Sequence, residues 1–170
     1  MRIVSLISSA TEILCELGLG EALVGRSHEC DYPEWVRELP VCTEPKFDVT
    51  GSSGDIDRRV KETLHESGSV YRVFAERLDE LRPDLIVTQT QCDVCAVSLR
   101  DVELAVGAML SSRPAVVALQ PNCMDDVWND IRRVADGANV SERGERLIVR
   151  LRERMQIVSD RAKRASSRPT

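Results

Sequence analysis

The sequence predicts an α/β fold, a Rossmann-like three-layer lobe in which helices cover both faces of a five-stranded, mainly parallel sheet. Three observations carry this prediction. Short apolar runs recur along the chain, segments with helical periodicity separate them, and polar or glycine-containing turns lie between the two kinds of segment. Strands that alternate with helices favour parallel pairing, because each helix returns the chain to the starting edge of the sheet. A long helix is predicted at the C-terminal end.

The strands are predicted from short apolar runs bounded by turn residues. Leu85-Ile86-Val87 has the composition of a strand buried on both faces, and the Arg82-Pro83-Asp84 segment before it ends a helix. The N-terminal run Ile3 to Ile7 is also mostly apolar. The five strands are predicted at residues 3–7, 22–25, 40–42, 85–87 and 115–119.

Helices are predicted from apolar residues three or four apart and from capping patterns at their starts. Four pairs have the spacing of a capping box or a cap: Ser9 with Glu12, Ser98 with Asp101, Asn122 with Asp125, and Asn139 with Glu142. Helices are predicted at residues 10–17, 33–38, 56–66, 70–81, 98–110, 122–137 and 139–163. The last would be about 36 Å long at 1.5 Å per residue, more than a small lobe needs.

Composition and charge restrict the functional classes. The chain has 170 residues and a net charge of −5, so a basic surface for nucleic acid is not expected. Aromatic residues make up 4% of the chain, too few for a stacking platform. The sequence enters its first strand without a charged leader, which predicts a cytoplasmic chain as written, or a periplasmic or cell-surface one if a leader has been removed.

Five of the six cysteines follow predicted strands, which places them at one edge of the predicted sheet. In a parallel sheet the carboxyl ends of the strands meet at that edge, and ligands bind there. His28 lies two residues before Cys30, and thiolate and imidazole are ligands for transition metals. The sequence therefore predicts a zinc or iron site formed by His28, Cys30, Cys92 and Cys95, with Cys42 and Cys123 as weaker candidates.

Other interpretations of these cysteines stay open at this point. Cys42 and Cys123 have the character of small buried hydrophobes. Cys92-x-x-Cys95 is also a spacing used by thiol oxidoreductases, although Cys92 precedes the predicted helix start at Ser98 by six residues, whereas a redox pair of that kind begins at the first helical turn. The alternatives to a metal-complex binder are thus a cytosolic zinc or iron–sulfur protein and a thiol–disulfide oxidoreductase.

Polar residues at the same predicted edge are candidate contacts for a small-molecule ligand. Two lie at the start of the first helix, two follow the second strand, and two follow the fourth. These candidates are Ser9, Thr11, Asp31, Tyr32, Gln89 and Gln91. The sequence contains no glycine-rich phosphate loop and no nucleophile elbow, so catalysis is not expected.

Several motifs together resemble one family. The opening Ile3-Val4-Ser5-Leu6, the segment Leu23-Val24-Gly25-Arg26-Ser27 with Asp31-Tyr32-Pro33, and Leu81-Arg82-Pro83-Asp84-Leu85 resemble ABC-transporter substrate-binding proteins of the cobalamin and iron–siderophore type. His28-Glu29-Cys30-Asp31-Tyr32-Pro33 and Cys92-x-Val94-Cys95-Ala96 resemble the cobalamin-binding subgroup of this class III, helical-backbone family.

The resemblance implies two α/β lobes joined by one long helix, with the ligand held between the lobes. It assigns residues 1–138 to the N-terminal lobe, 139–164 to the joining helix and 165–170 to a flexible tail. It also implies a metal-containing ligand such as cobalamin or an iron complex, uptake through an ABC-transporter permease, and no enzymatic activity. The long helix carries an apolar seam formed by Leu147, Leu151, Met155 and Val158. Because an exposed apolar seam favours self-association, a homodimer is a further expectation.

Overall fold

A computed structural model describes residues 1–90, 97–109 and 111–165. The strands in this part of the chain are β1 (Ile3–Ser5), β2 (Leu23–Arg26), β3 (Thr43–Pro45), β4 (Tyr71–Val73), β5 (Leu85–Gln89) and β6 (Ala115–Leu119). Its α-helices are α1 (Ser8–Glu16), α2 (Ser53–Ser67), α3 (Ala75–Leu81), α4 (Leu99–Ala108), α5 (Met124–Gly137) and α6 (Ser141–Lys163). Two short 3₁₀ helices cover Gly20–Ala22 and Glu34–Glu38.

Four strands form the central sheet in the order β2-β1-β5-β6, and all of them run parallel. The two central strands pair in register from Ile3 opposite Leu85 to Ser5 opposite Val87. Strands β3 and β4 form a separate antiparallel pair. This topology confirms the predicted α/β class with its parallel sheet and long C-terminal helix.

Helices cover both faces of the sheet, and the two hydrophobic cores follow the alternation of side chains along the strands. Ile3, Leu85 and Val87 face a core that includes residues of α1, α5 and α6. Val4 and Ile86 face the opposite core, which includes residues of α3 and α4. All five side chains are fully buried, as expected for the centre of a three-layer lobe.

The prediction of a full sheet strand at residues 40–42 is wrong. In the described part of the chain, the central sheet has four strands rather than five. Val41 forms a single parallel bridge with Arg26 at the outer edge of β2. Pro40 has no N–H group to extend a ladder. The chain then turns away, and Thr43–Pro45 pairs with β4 instead.

The single helix predicted at residues 70–81 is also wrong, because its first turn is a strand. Tyr71–Val73 forms β4, and the helix α3 begins only at Ala75. The apolar residues at 70, 73 and 74 fit a helical face, but aromatic and β-branched side chains also favour strands. The partner strand is nearly thirty residues away in sequence, so no local pattern announces the pairing.

Helix starts agree with the predicted caps in one case of four. The Ser98 side chain accepts a hydrogen bond from the Asp101 amide, as predicted. Helix α5 is capped one residue later than expected, by Cys123 with Asp126. Helices α1 and α6 begin without a side-chain cap, after Ile7 and Val140.

Helix α6 packs on α5 over its first half only. Gly144, Leu147 and Ile148 are buried, whereas Met155 and Val158 are 47% and 65% exposed. Gly144 permits the close approach, since a Cβ atom there would lie 2.7 Å from the Cβ of Ala135. Among the described residues, no helix combines the length and apolar character needed to cross a bilayer.

Gly144→Ala is expected to destabilise the protein relative to Gly107→Ala. Both substitutions add a methyl group inside a helix, which favours the helix by about 1 kcal/mol. Only Gly144 lacks space for that methyl group, and overpacking costs about 1–3 kcal/mol, whereas nothing lies within 4 Å of a Cβ at Gly107. Urea unfolding of both variants measures the difference, and equal free energies of unfolding would contradict the tight α5–α6 contact.

Candidate ligand-binding site

The carboxyl ends of β1 and β2 carry a connected group of small polar side chains. Strand β1 ends at Ser5 and leads into α1, while β2 leads into the loop 27–33. The Thr11 hydroxyl lies 2.8 Å from Ser5 Oγ and 3.1 Å from Cys30 Sγ. All three residues are fully buried. This network fixes the start of the loop against α1.

His28 projects from this loop and is oriented by Thr43. Its Nδ1 lies 2.8 Å from Thr43 Oγ1, and its backbone amide donates to the same oxygen at 3.1 Å. The Thr43 hydroxyl in turn donates to Ser27 Oγ at 3.1 Å. When His28 Nδ1 carries the ring proton, it donates to Thr43 Oγ1. The other ring nitrogen, Nε2, then has a free lone pair of the kind that binds metals.

The surroundings of His28 lower the pKa of its imidazole. Burial is the largest cause; the carboxylates of Glu29 and Glu44 oppose it, and the Arg26 charge lowers the pKa further. The side chain nevertheless remains 25% exposed, with Nε2 4.0 Å from a carboxylate oxygen of Glu29. Tyr71 lies beside the ring at a centroid distance of 5.3 Å and an angle of 44°. The lowered pKa favours the neutral imidazole, which is the form that binds metals.

The thiols near this site have a different character from His28. Cys30 is fully buried, and burial raises the pKa of its thiol. Burial also raises the pKa of Cys42 to about 12. Metals bind the thiolate, and burial disfavours that form of both side chains. Within residues 1–90, 97–109 and 111–165, no three side chains of His, Cys, Asp or Glu are arranged to hold a metal ion.

The remaining candidate residues differ in how exposed they are, and some lie outside the described part of the chain. Ser9 is exposed in the first turn of α1, and Gln89 is buried at the end of β5. Asp31 and Tyr32 are exposed on the loop, where Asp31 lies 3.3 Å from Arg37. Three more candidates, Gln91, Cys92 and Cys95, lie outside the described residues, and Cys123 is exposed with its Sγ 3.4 Å from Asp126.

Thr43 and Tyr71 are site residues that the sequence pattern did not indicate. Both belong to the β3–β4 pair, in which Thr43 lies opposite Val73. This pair brings both the hydroxyl of Thr43 and the ring of Tyr71 to the same imidazole. The two-residue spacing of Tyr71 and Val73 was the one local signal for a strand there.

Acidification is expected to destabilise the protein in part through His28. The folded-state pKa of His28 lies below its ordinary value of about 6.5, so the unfolded chain binds more protons near and below that pH. The contribution is fully present above pH 6.5 and is lost as pH falls through the folded-state pKa. Urea unfolding at pH 7.5 and pH 5 should show a larger loss in the wild type than in His28→Gln. An equal loss in both would contradict this assignment.

An apolar groove lies apart from this network, between α5 and the second half of α6. Its volume is about 630 Å³. Trp128 forms part of its wall and is covered by the Arg152 guanidinium, 5.2 Å from the ring centroid. The groove is lined by Met124, Val127, Trp128, Leu151, Arg154, Met155, Val158 and Ser159.

The described fold, a parallel α/β lobe followed by a long helix, recurs in solved structures of substrate-binding proteins, three of which are compared with the chain. The periplasmic heme-binding protein RhuT from Roseiflexus sp. RS-1 has 26% identity and a TM-score of 0.67 over 99% of this chain and 52% of its own. The periplasmic vitamin B12 binding protein BtuF of Vibrio cholerae has 23% identity and a TM-score of 0.64 over 99% and 52%.

The third structure is a periplasmic heme binding protein from Pseudomonas aeruginosa, with 19% identity and a TM-score of 0.65 over 94% of this chain and 46% of its own. The chain thus spans about half the length of these proteins, and its fold matches that of a lobe of class III substrate-binding proteins. These are binding proteins rather than enzymes, in agreement with the non-catalytic class predicted. No protein-family model and no curated protein matches the chain.

Proposed function

We propose that this chain is the ligand-binding lobe of a substrate-binding protein for a metal-containing small molecule, with heme and cobalamin as the leading candidates. The single observation that carries this proposal is the orientation of His28. Its Nδ1 lies 2.8 Å from Thr43 Oγ1, and its side chain, on the loop that follows β2, is 25% exposed. An imidazole held in this way is suited to fill one axial position of a metal that a macrocycle already coordinates.

A complexed metal fits this site better than a bare ion. A macrocycle supplies most of the metal's ligands, so one protein donor is sufficient. A bare zinc ion requires three or four protein donors. The described residues offer no such group, and the thiols of Cys30 and Cys42 are buried. His28, with Tyr71 beside its ring, therefore supports a metal complex as the ligand.

The division of the chain follows from the same proposal. We propose that residues 1–138 form the N-terminal lobe, that 139–164 form the joining helix and that 165–170 form a tail. The half of α6 beyond Leu151 exposes Met155 and Val158 beside the groove of about 630 Å³, which is the surface expected of a helix that also contacts a second lobe. The working location is then the periplasm or cell surface, and the partner an ABC-transporter permease. A homodimer that completes the cleft is the alternative arrangement.

Titration of the protein with three probes tests the proposal. Ferric heme, aquocobalamin and zinc chloride are added separately, and binding is followed by visible spectra for the first two and by calorimetry for zinc. The proposal expects a saturable spectral change with heme or cobalamin at one equivalent. Binding of zinc alone, with neither macrocycle bound, would overturn the proposal and favour a cytosolic zinc protein.

A further inference from the structure

Arg26 lies at the end of β2, and its guanidinium contacts the backbone of the loop that carries His28. Nη1 donates to the carbonyl oxygens of Ser27 at 3.0 Å, His28 at 3.4 Å and Cys30 at 3.2 Å. Nη2 donates to the carbonyl of Arg37 at 3.0 Å. One side chain therefore connects three residues of the loop with the 3₁₀ helix that follows it.

We infer that Arg26 is the positioning residue of the ligand site, whose guanidinium holds the backbone of residues 27–30 and so sets the direction of the His28 imidazole. This inference rests on the proposed function, because it concerns how the proposed metal ligand is held. Arg26 acts on the ligand only through His28. Its own side chain is not assigned a contact with the bound molecule.

Hydrogen bonds hold the backbone of Arg26 in place, as a residue that positions the loop requires. Its backbone amide donates to Pro40 O at 3.0 Å, and its carbonyl accepts from the Cys42 amide at 2.8 Å, so the residue is paired on its outer edge. Its side chain leaves Nε buried without a partner among the described residues. A buried unpaired donor is costly, and the contacts of the terminal nitrogens to four carbonyls offset that cost.

Other hydrogen bonds restrain the loop around His28 from different sides. The Cys30 amide donates to Ser27 O at 3.2 Å, which closes a turn, and the Glu29 amide donates to Ser27 Oγ at 3.3 Å. The Thr43 hydroxyl fixes the ring and the His28 amide, but not the carbonyl side of the loop. Arg26 holds three of the carbonyls on that second side, and the Ser8 hydroxyl donates to the fourth, Glu29 O, at 3.0 Å. A planar guanidinium can bind several carbonyls at once, which a lysine ammonium does less well.

A double-mutant cycle with ferric heme as the probe tests the inference. Arg26→Gln is expected to weaken heme binding about 10- to 100-fold in the wild-type background, the range seen when a residue that orients a metal ligand is removed. In the His28→Ala background the same substitution is expected to have no further effect, since the residue it positions is already absent. Arg26→Lys should restore part of the affinity. Arg58→Gln, a substitution in α2 at an exposed arginine that pairs with Asp55, is the matched control and should leave affinity unchanged.

The outcomes separate this inference from the proposed function. An equal loss in both backgrounds would overturn the positioning role, because it would mean that Arg26 acts independently of His28. If the wild type binds no heme, the proposed function fails for that ligand, and amide hydrogen exchange of the ligand-free protein then decides the role of Arg26 in the loop. The Cys30 amide should exchange about tenfold faster or more in Arg26→Gln, as hydrogen bonds to a charged group are lost. Unchanged exchange at Cys30 would overturn the inference without any ligand.

Discussion

Replacing His28 with alanine is expected to weaken binding of ferric heme, or of aquocobalamin if that is the ligand, by about 100-fold or more. The estimate follows because removal of a residue that merely orients a metal ligand already costs roughly 10- to 100-fold, and His28 is proposed as the ligand itself. Spectral titration measures the affinity. The variant should also lose the absorption features of a histidine-ligated metal centre.

His65→Ala is the matched control for this prediction. His65 is the other histidine of the chain and lies exposed on α2. Its substitution is expected to leave both the affinity and the spectrum unchanged. If His28→Ala binds heme with wild-type affinity and spectrum, the axial-ligand assignment is wrong.

The second large effect is expected from Trp128→Ala, which should lower the free energy of unfolding by about 3–5 kcal/mol. Trp128 is 5% exposed and belongs to the core shared by α1, α5 and α6. Its removal leaves a cavity in that core and deprives Arg152 of the ring on which it lies. For a domain with a stability of about 5–15 kcal/mol, a loss of this size threatens folding. Urea unfolding measures the change.

Trp35→Ala provides the comparison for Trp128, because Trp35 is 43% exposed in the 3₁₀ helix Glu34–Glu38. It is expected to cost about 1 kcal/mol or less, as is usual away from the core. Comparable losses at the two tryptophans would contradict the packing of α5 against α6. If Trp128→Ala does not fold, Trp128→Phe, a smaller reduction in volume, keeps the comparison measurable.

The central part of the fold was predictable because its sequence signals are local. Leu85, Ile86 and Val87 form a continuous apolar run, and such runs are typical of strands covered on both faces. Helix α6 was also predicted, with its start at Asn139 taken from a cap that the structure does not form, and it begins two residues later at Ser141. The β3–β4 pair was not predictable, because it depends on contacts between segments that are far apart in sequence. Tyr71 in particular fits a helical face or a strand, and only its pairing with Pro45 decides between them.

The candidate site was predictable as a location and less so as a set of atoms. The order of strands and turns placed His28 at the carboxyl edge of the sheet. The sequence could not show that Thr43, fifteen residues away, holds Nδ1 of that ring. Nor could it show that Cys30 turns inward to Thr11, so that its thiol is buried while His28 stays accessible. His28 and Cys30 are two residues apart in a turn, and this spacing alone does not determine which way each side chain points.

The central claim is that the chain binds a metal complex through His28, and the metal and chromophore content of the protein tests it most directly. Wild type, His28→Ala and Cys92→Ser/Cys95→Ser are purified without oxygen, incubated with heme or aquocobalamin, freed of excess ligand and analysed by elemental analysis and visible spectroscopy. Stoichiometric heme or corrin is expected in the wild type and in the cysteine double variant, and is expected to be lost in His28→Ala. Zinc or an iron–sulfur chromophore that disappears only in the cysteine double variant would contradict binding through His28.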